Sequence, residues 1–223
     1  MDNESPAGSS EQTERILDVA AELIAASGFH GASMRHIAAR MNLNQGSLYL
    51  YVGSKAELLE RIVNDVDLRL SAGMNRIVAS NDDPLTKLKA IAANELGVHV
   101  DRPHWCRVHA REYRHLGSEA LGTAIQKREA RDEQIQAILR EGTRRGQLRD
   151  LEPVKIASAA FVENLHLVYE RLGSLGGISF TEFAGSYTDT LVGGWGAAPA
   201  WRSGNARAPK DHEVKAANDS VRR

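Results

Sequence analysis

Apolar residues recur at helical spacing along most of the chain, and the breaks in that spacing mark out its elements. Ile16, Leu17, Ala20, Leu23 and Ile24 share one face of a helix expected over residues 11–27, and Gly28 stands where a glycine closes such a helix. Ser33 caps a short second helix to Arg40, with Met34, Ile37, Ala38 and Met41 on one side. Asn42 occupies the next turn; after glycine, Asn best tolerates a left-handed backbone. Asn44 caps a third helix expected over residues 45–51. Ser54-Lys-Ala-Glu57 is a capping box that opens a long fourth helix carrying Leu58, Leu59, Ile62, Val63, Val66 and Leu70.

Further on, Pro84 after Asn81-Asp82-Asp83 begins a fifth helix to about Val100, and Asp101-Arg-Pro103 begins a sixth that ends near Leu116. Ser118 caps a seventh running to about Arg145, closed by Gly146. Glu152-Pro153 starts an apolar eighth to about Leu172, and Ser179-Phe-Thr-Glu182 opens a ninth to about Val192. Residues 1–10 and 195–223 carry no period and are expected to be disordered. The expectation is an all-α chain of about nine helices: a three-helix head at 11–55 and a larger helical body at 56–194.

Composition narrows the class. Hydrophobic residues make up 42% and aromatic ones only 5%, and the β-branched runs of strands are nearly absent. No stretch approaches the roughly 18 apolar residues of a membrane span, so no membrane partner is expected. The polar, acidic start gives no secretion signal, and the single cysteine, Cys106, forbids an intrachain disulfide; both fit a cytoplasmic protein. Net charge is −1, and residues 11–60 hold four Lys and Arg against six Asp and Glu. Bulk charge therefore argues against nucleic acid, and only placed contacts could overcome it.

Residues 34–51 supply that placement. A helix-turn-helix needs a scaffold helix, a tight turn and a short helix whose outer face reaches base edges in the major groove. Leu43 and Leu48 plug inward, leaving Asn44, Gln45, Gly46, Ser47, Tyr49 and Leu50 on the reading edge. Gln pairs bidentately with adenine, Ser accepts several bases, and Gly46 permits close approach. Tyr51 and Lys55 at one end, and Ser33 and Arg35 at the start of the second helix, suit phosphate oxygens. The plain alternative is a helical subdomain with Tyr49 and Tyr51 as packing aromatics.

The stretches Ile16-Leu-Asp-Val-Ala-Ala-Glu-Leu-Ile, Gly28, Ser33-Met-Arg-His-Ile-Ala and Gly46-Ser-Leu-Tyr-Leu-Tyr-Val-Gly-Ser-Lys-Ala-Glu-Leu-Leu59 resemble the N-terminal pattern of the TetR family of repressors. Val52 replaces the usual Phe, Asn42 the usual Gly, and Asn44 the usual Ser or Thr. The resemblance implies a homodimer on a palindromic DNA operator, released by a small-molecule inducer, with Tyr49, Tyr51 and Lys55 on the DNA backbone. It also implies dimerisation through the helices at about 153–172 and 180–192.

The body is less specific. Arg107, Arg111 and Arg114 share one face of the sixth helix, Trp105 and Tyr113 another. Arg128 interrupts the apolar stripe of the seventh beside Arg131, and Phe161 and Asn164 follow on the eighth. A charge on an apolar stripe is paired or awaits an anion. The run Arg111-Glu-Tyr-Arg-His-Leu116, with Arg128 and Gly142…Gly146, resembles TetR members that sense acyl-coenzyme A thioesters, which implies these residues as a ligand site. The competing reading is a solvated face paired with Glu112, Glu119, Glu129 and Glu133. His99, His104, Cys106, His109 and His115 raise a metal-responsive alternative, although His104 and His115 fall on the arginine face and no second cysteine completes a set. A drug-responsive regulator of the same fold is a further alternative. An enzyme is the other class, but no nucleophile elbow, phosphate loop or dinucleotide fingerprint is present, and no cofactor is expected.

Overall fold

A computed structural model describes residues 6–171, together with Ser186, Asp189, Thr190 and Gly194. Among the described residues there are eight α-helices and no strand: α1 (Pro6–Gly31), α2 (Met34–Arg40), α3 (Gln45–Leu48), α4 (Lys55–Ala79), α5 (Pro84–Asp101), α6 (Pro103–Glu112), α7 (Ser118–Arg144) and α8 (Val154–Arg171). The expected ninth helix at 179–192 falls, Ser186, Asp189 and Thr190 apart, outside the described residues, as does the tail at 195–223.

Backbone chemistry sets the boundaries. α1 starts at Pro6, so residues 6–10, expected to be disordered, are helical. Its helical backbone is interrupted at Gly28 (φ 76°, ψ 164°), the glycine that the sequence marks as the stop. Asn42 takes the left-handed turn at φ 54°, and Gly146 closes the end of α7 at φ 70°. Asn44 Oδ1 accepts the Ser47 N–H at 2.8 Å, opening α3. That helix ends at Leu48 rather than Tyr51. Ser54 Oγ accepts the Glu57 N–H at 3.1 Å, while Glu57 Oε2 reaches past Ser54 to the Gly53 N–H at 2.7 Å. α6 gives way to a 3-10 turn over Tyr113–His115, and α7 starts at Ser118 with Gly117 in the cap position and no side-chain cap bond.

Two cores result, and they do not divide the chain at residue 55. The first joins Ile16, Ile24, Ile37, Leu48 and Val52 of the head to Leu58, Ile62 and Val66 of α4 and to Trp105, Cys106 and Val108 of α6. The second joins Met74 at the end of α4 to Leu88, Ile91 and Leu96 of α5, Ile135 and Leu139 of α7, and Phe161 and Leu165 of α8. α4 thus contributes to both. Polar bonds reinforce the junction of head and body: the Trp105 indole N–H donates to Asp18 Oδ1 at 2.8 Å, and Arg102 pairs with Asp18 at 3.2 Å and with Glu14.

Candidate DNA-reading face and effector cavity

On α3 the sequence places one apolar plug, Leu48, fully buried, and leaves the neighbouring residues outside. Gln45 and Gly46 are exposed, Tyr49 is 46% exposed and Leu50 84%, which is unusual for Leu and gives this edge a bare apolar tip. Gln45 Nε2 lies 3.5 Å from the Tyr49 hydroxyl. Ser47 is half-buried. Ser33 and Asn44 both spend a side-chain oxygen on a helix cap, Ser33 Oγ accepting from the His36 N–H at 3.2 Å. Arg35 stands exposed beside that cap, at the start of α2.

Two expected phosphate contacts sit differently. Tyr51 is half-buried against the first core. Lys55, expected on the DNA backbone, donates to the Phe29 carbonyl at 2.6 Å and the Ala32 carbonyl at 2.7 Å, and lies 4.5 Å over the Phe29 ring. Its ammonium closes the carbonyl end of α1, where a cation is favoured.

The acids of the head are largely neutralised within the protein. Glu22 pairs with Arg40 at 2.9 Å, Glu57 with Arg61 at 2.6 Å, and Glu14 and Asp18 with Arg102.

The body contains a cavity of about 440 Å³ between α4, α5, α6, α7 and α8. Leu70, Ile125, Ile135, Ala159 and Val162 give it apolar walls, and Tyr113 closes one side. Its polar end is a buried cluster. Asp67 on α4 accepts from Arg131 Nη1 of α7 at 2.9 Å and lies 3.0 Å from His109 Nε2 of α6. Burial acts to raise the Asp67 carboxyl, but the His109 hydrogen bond and charge, with Arg131, hold it below the usual range. Glu95 on α5 lines the same cavity, and burial pushes its carboxyl up to about 7. At the mouth Arg128 pairs with Glu163 at 2.8 Å.

Of the expected ligand residues, Tyr113, Arg128 and Arg131 come together on this cavity. The others do not. Trp105 is 4% exposed in the first core, bonded to Asp18, and Phe161 is buried in the second. Arg107 and Arg111 are exposed on α6 and Arg114 on the 3-10 turn after it, Arg114 Nε donating to the Arg111 carbonyl at 3.1 Å, and Asn164 is exposed, donating to the Ala160 carbonyl at 2.6 Å. Asp67 and Glu95 are not among the residues expected at a site, and His109 is expected there as a candidate metal ligand rather than on an effector cavity. The available signal was the one used for Arg128: each acid interrupts an apolar stripe, Asp67 between Val63 and Leu70, Glu95 between Ile91 and Val98.

The histidines and the cysteine of the metal alternative are separated by their bonds. His99 Nδ1 pairs with the Glu95 carbonyl at 2.8 Å, His109 with Asp67, and His115 with Glu112 at 3.5 Å. Cys106 is buried, its thiol pushed up to about 12 by burial. Among the described residues no group of three or more His, Cys, Asp or Glu converges to hold a metal ion. Nor is any helix among them long and apolar enough to cross a membrane.

Family models match both halves of this arrangement: "Bacterial regulatory proteins, tetR family" over residues 16–62, and "Tetracyclin repressor-like, C-terminal domain" over residues 81–195. The chain belongs to the TetR family. It is a transcriptional regulator with a DNA-binding helix-turn-helix and a ligand-binding C-terminal body. Among solved TetR-fold structures, PfmR from Thermus thermophilus is 25% identical, matching 80% of this chain and 97% of its own with a TM-score of 0.70. The ketosteroid regulator KstR2 of Mycobacterium tuberculosis is 19% identical over 82% of this chain and 94% of its own, TM-score 0.77. AibR, solved with isovaleryl coenzyme A and operator DNA, is 20% identical over 81% and 98%, TM-score 0.71. No curated protein matches the sequence.

Proposed function

We propose that this TetR-family regulator is a repressor that binds a palindromic operator as a homodimer and is released when a small-molecule inducer enters the α4–α8 cavity. The observation that carries the reading is Asp67. It sits on α4, whose first half belongs to the core of the head, and it is bound by His109 and Arg131, both of which line the cavity. A ligand that draws on either partner bears directly on the helix beneath the head. Release is then a population shift between a state with recognition helices about 34–36 Å apart and one in which that spacing fails. A hundredfold loss of operator affinity needs about 3 kcal/mol of preference for the second state.

The reading edge is Gln45, Gly46, Tyr49 and Leu50, with Ser33 and Arg35 on the phosphates. Ile156 of α8, 67% exposed, belongs to the dimer face together with the segment at about 180–192. The inducer is an acyl-coenzyme A thioester. Its acyl group occupies the apolar cavity, and its phosphates lie on the outer arginines of α6; AibR, of the same fold, was solved with such a thioester. The protein acts in the cytoplasm, as a regulator and not as an enzyme.

The test is footprinting of the DNA upstream of its own gene, then titration of that complex with long-chain and steroid acyl-coenzyme A. A protected palindrome released by a thioester is the expected result. Without protection the repressor reading falls; protection without release removes the thioester alone.

A further inference from the structure

The polar end of the cavity contains two deeply buried ionisable groups, Glu95 at 5% exposure and Arg131 at 9%. They come from two helices, α5 and α7, and Arg131 acts on Glu95 through space without pairing with it. Arg131 commits Nη1 to Asp67 and Ser71, which leaves Nε and Nη2 as donors. Among the described residues the Glu95 carboxyl has neither hydrogen-bond nor ion-pair partner, although it is nine-tenths buried and lines the cavity. A buried carboxyl without a protein partner is costly, and this one is left to be completed by whatever occupies the cavity, water or ligand.

We propose that Glu95 and Arg131 form a two-point reader for an uncharged hydroxyl or amide at the buried end of the effector, the carboxyl accepting its hydrogen and the guanidinium donating to its oxygen. The proposal rests on the cavity being the effector site. The wall carries Glu95, Glu129, Asp132 and Glu163 against Arg128 and Arg131, and Arg128 is already paired. An ionised Glu95 would meet a ligand carboxylate at the inner end as a like charge, and only its protonated form could donate to one. A ligand ammonium would satisfy Glu95 but meet Arg131 as a like charge. A hydroxyl or amide is complementary to both groups at once, because it donates and accepts.

The test uses the full-length protein and four ligands with one chain and different heads: 1-octanol, octanamide, octylamine and octanoate. Binding is read by calorimetry and by the thermal shift on the native protein, on Glu95→Leu and on Glu95→Gln. Octanol and octanamide should bind at least about tenfold more tightly than octylamine and octanoate, the two arms separating hydroxyl from amide as the preferred head. Glu95→Leu should abolish that preference, and Glu95→Gln, which keeps an acceptor oxygen, should retain most of it. Leu at this position removes a buried polar group, so the variant should fold; its thermal transition checks this. If octanoate or octylamine binds best, or if Glu95→Leu binds octanol as well as the native protein does, the two-point reader is wrong while the cavity remains an effector site. If no octyl ligand binds and operator release by thioesters fails too, the effector-site reading falls and takes this one with it. If thioesters release the operator while no octyl ligand binds, the reader alone falls.

Discussion

The backbone N–H of Phe29 donates to Glu112 Oε2 at 3.1 Å, a bond between residues 83 positions apart. It is made just beyond the Gly28 break, where the chain has left the first helical segment and a free amide is available. The acceptor is the last residue of α6, one before Tyr113 at the cavity wall. Beside it Phe29 and His115 stack with ring centroids 5.5 Å apart. Glu112→Ala should lower stability by about 1–2 kcal/mol. Amide exchange at Phe29 should accelerate more than exchange in the second core, and uniform acceleration would refute a local tie.

Lys55 yields a prediction opposite to the one its position in the sequence suggests. Because its ammonium is held by two carbonyls of α1, Lys55→Ala should cost about 1–2 kcal/mol of stability. It should leave the slope of log K against log salt for DNA binding unchanged. Arg35→Ala, at an exposed site, should instead reduce that slope by about 0.9 with little change in stability. Titrations at several salt concentrations separate the two.

Leu50 is nearly bare, so replacing it should cost the fold less than about 0.5 kcal/mol. If it meets a thymine methyl, Leu50→Ala should weaken the operator complex selectively and leave non-specific binding alone. Competition with random duplex DNA reads the difference.

Glu95 gives a pH dependence. Its carboxyl ionises at about 7 in the folded chain against an ordinary value of 4.5. The fold therefore favours the protonated form, and stability falls as pH rises from 4.5 through 7. Glu95→Gln should remove that fall, gaining roughly 3 kcal/mol over the native protein at pH 8 and little at pH 4.5. Urea unfolding at fixed protein concentration across this range is the measurement; parallel curves would show that Glu95 is not the group responsible.

Asp67 behaves in the reverse sense. Its carboxyl is held low, so its contribution is present above the ordinary value and lost on acidification through the folded one. Asp67→Asn leaves Arg131 buried without its counter-charge and should cost about 3–5 kcal/mol. Adding Arg131→Met should recover much of that loss, which the double-mutant cycle would quantify.

The elements that rest on local chemistry were legible in the sequence. Gly28, Asn42 and Gly146 each take the backbone conformation that only Gly or Asn accepts readily, and the caps at Ser33, Asn44 and Ser54 are bonded as their spacing implies. What could not be read locally was the destination of long polar side chains. Lys55 follows the reading helix and by that place suits a phosphate, but the carbonyls that hold it belong to residues 29 and 32. Trp105 shares a helix face with Tyr113 and is expected at the ligand with it, yet Asp18, 87 positions away, takes its N–H. Arg128 and Arg131 were found because charge interrupts an apolar stripe, and the same rule applied to α4 and α5 would have found Asp67 and Glu95. Periodicity says that such a charge is special; only the packing of α4 to α8 says what it meets.

The shared first core has a consequence for engineering. The head is not a cassette. Ile16, Leu48 and Val52 pack in one cluster with Val108 and Trp105, and Asp18 bonds Trp105 and Arg102. Grafting residues 11–55 onto a foreign body would expose that apolar surface and leave Asp18 without its donors. A functional chimera must bring α6 and the first half of α4 with the head. Such a transplant exchanges one wall of the cavity along with the operator preference.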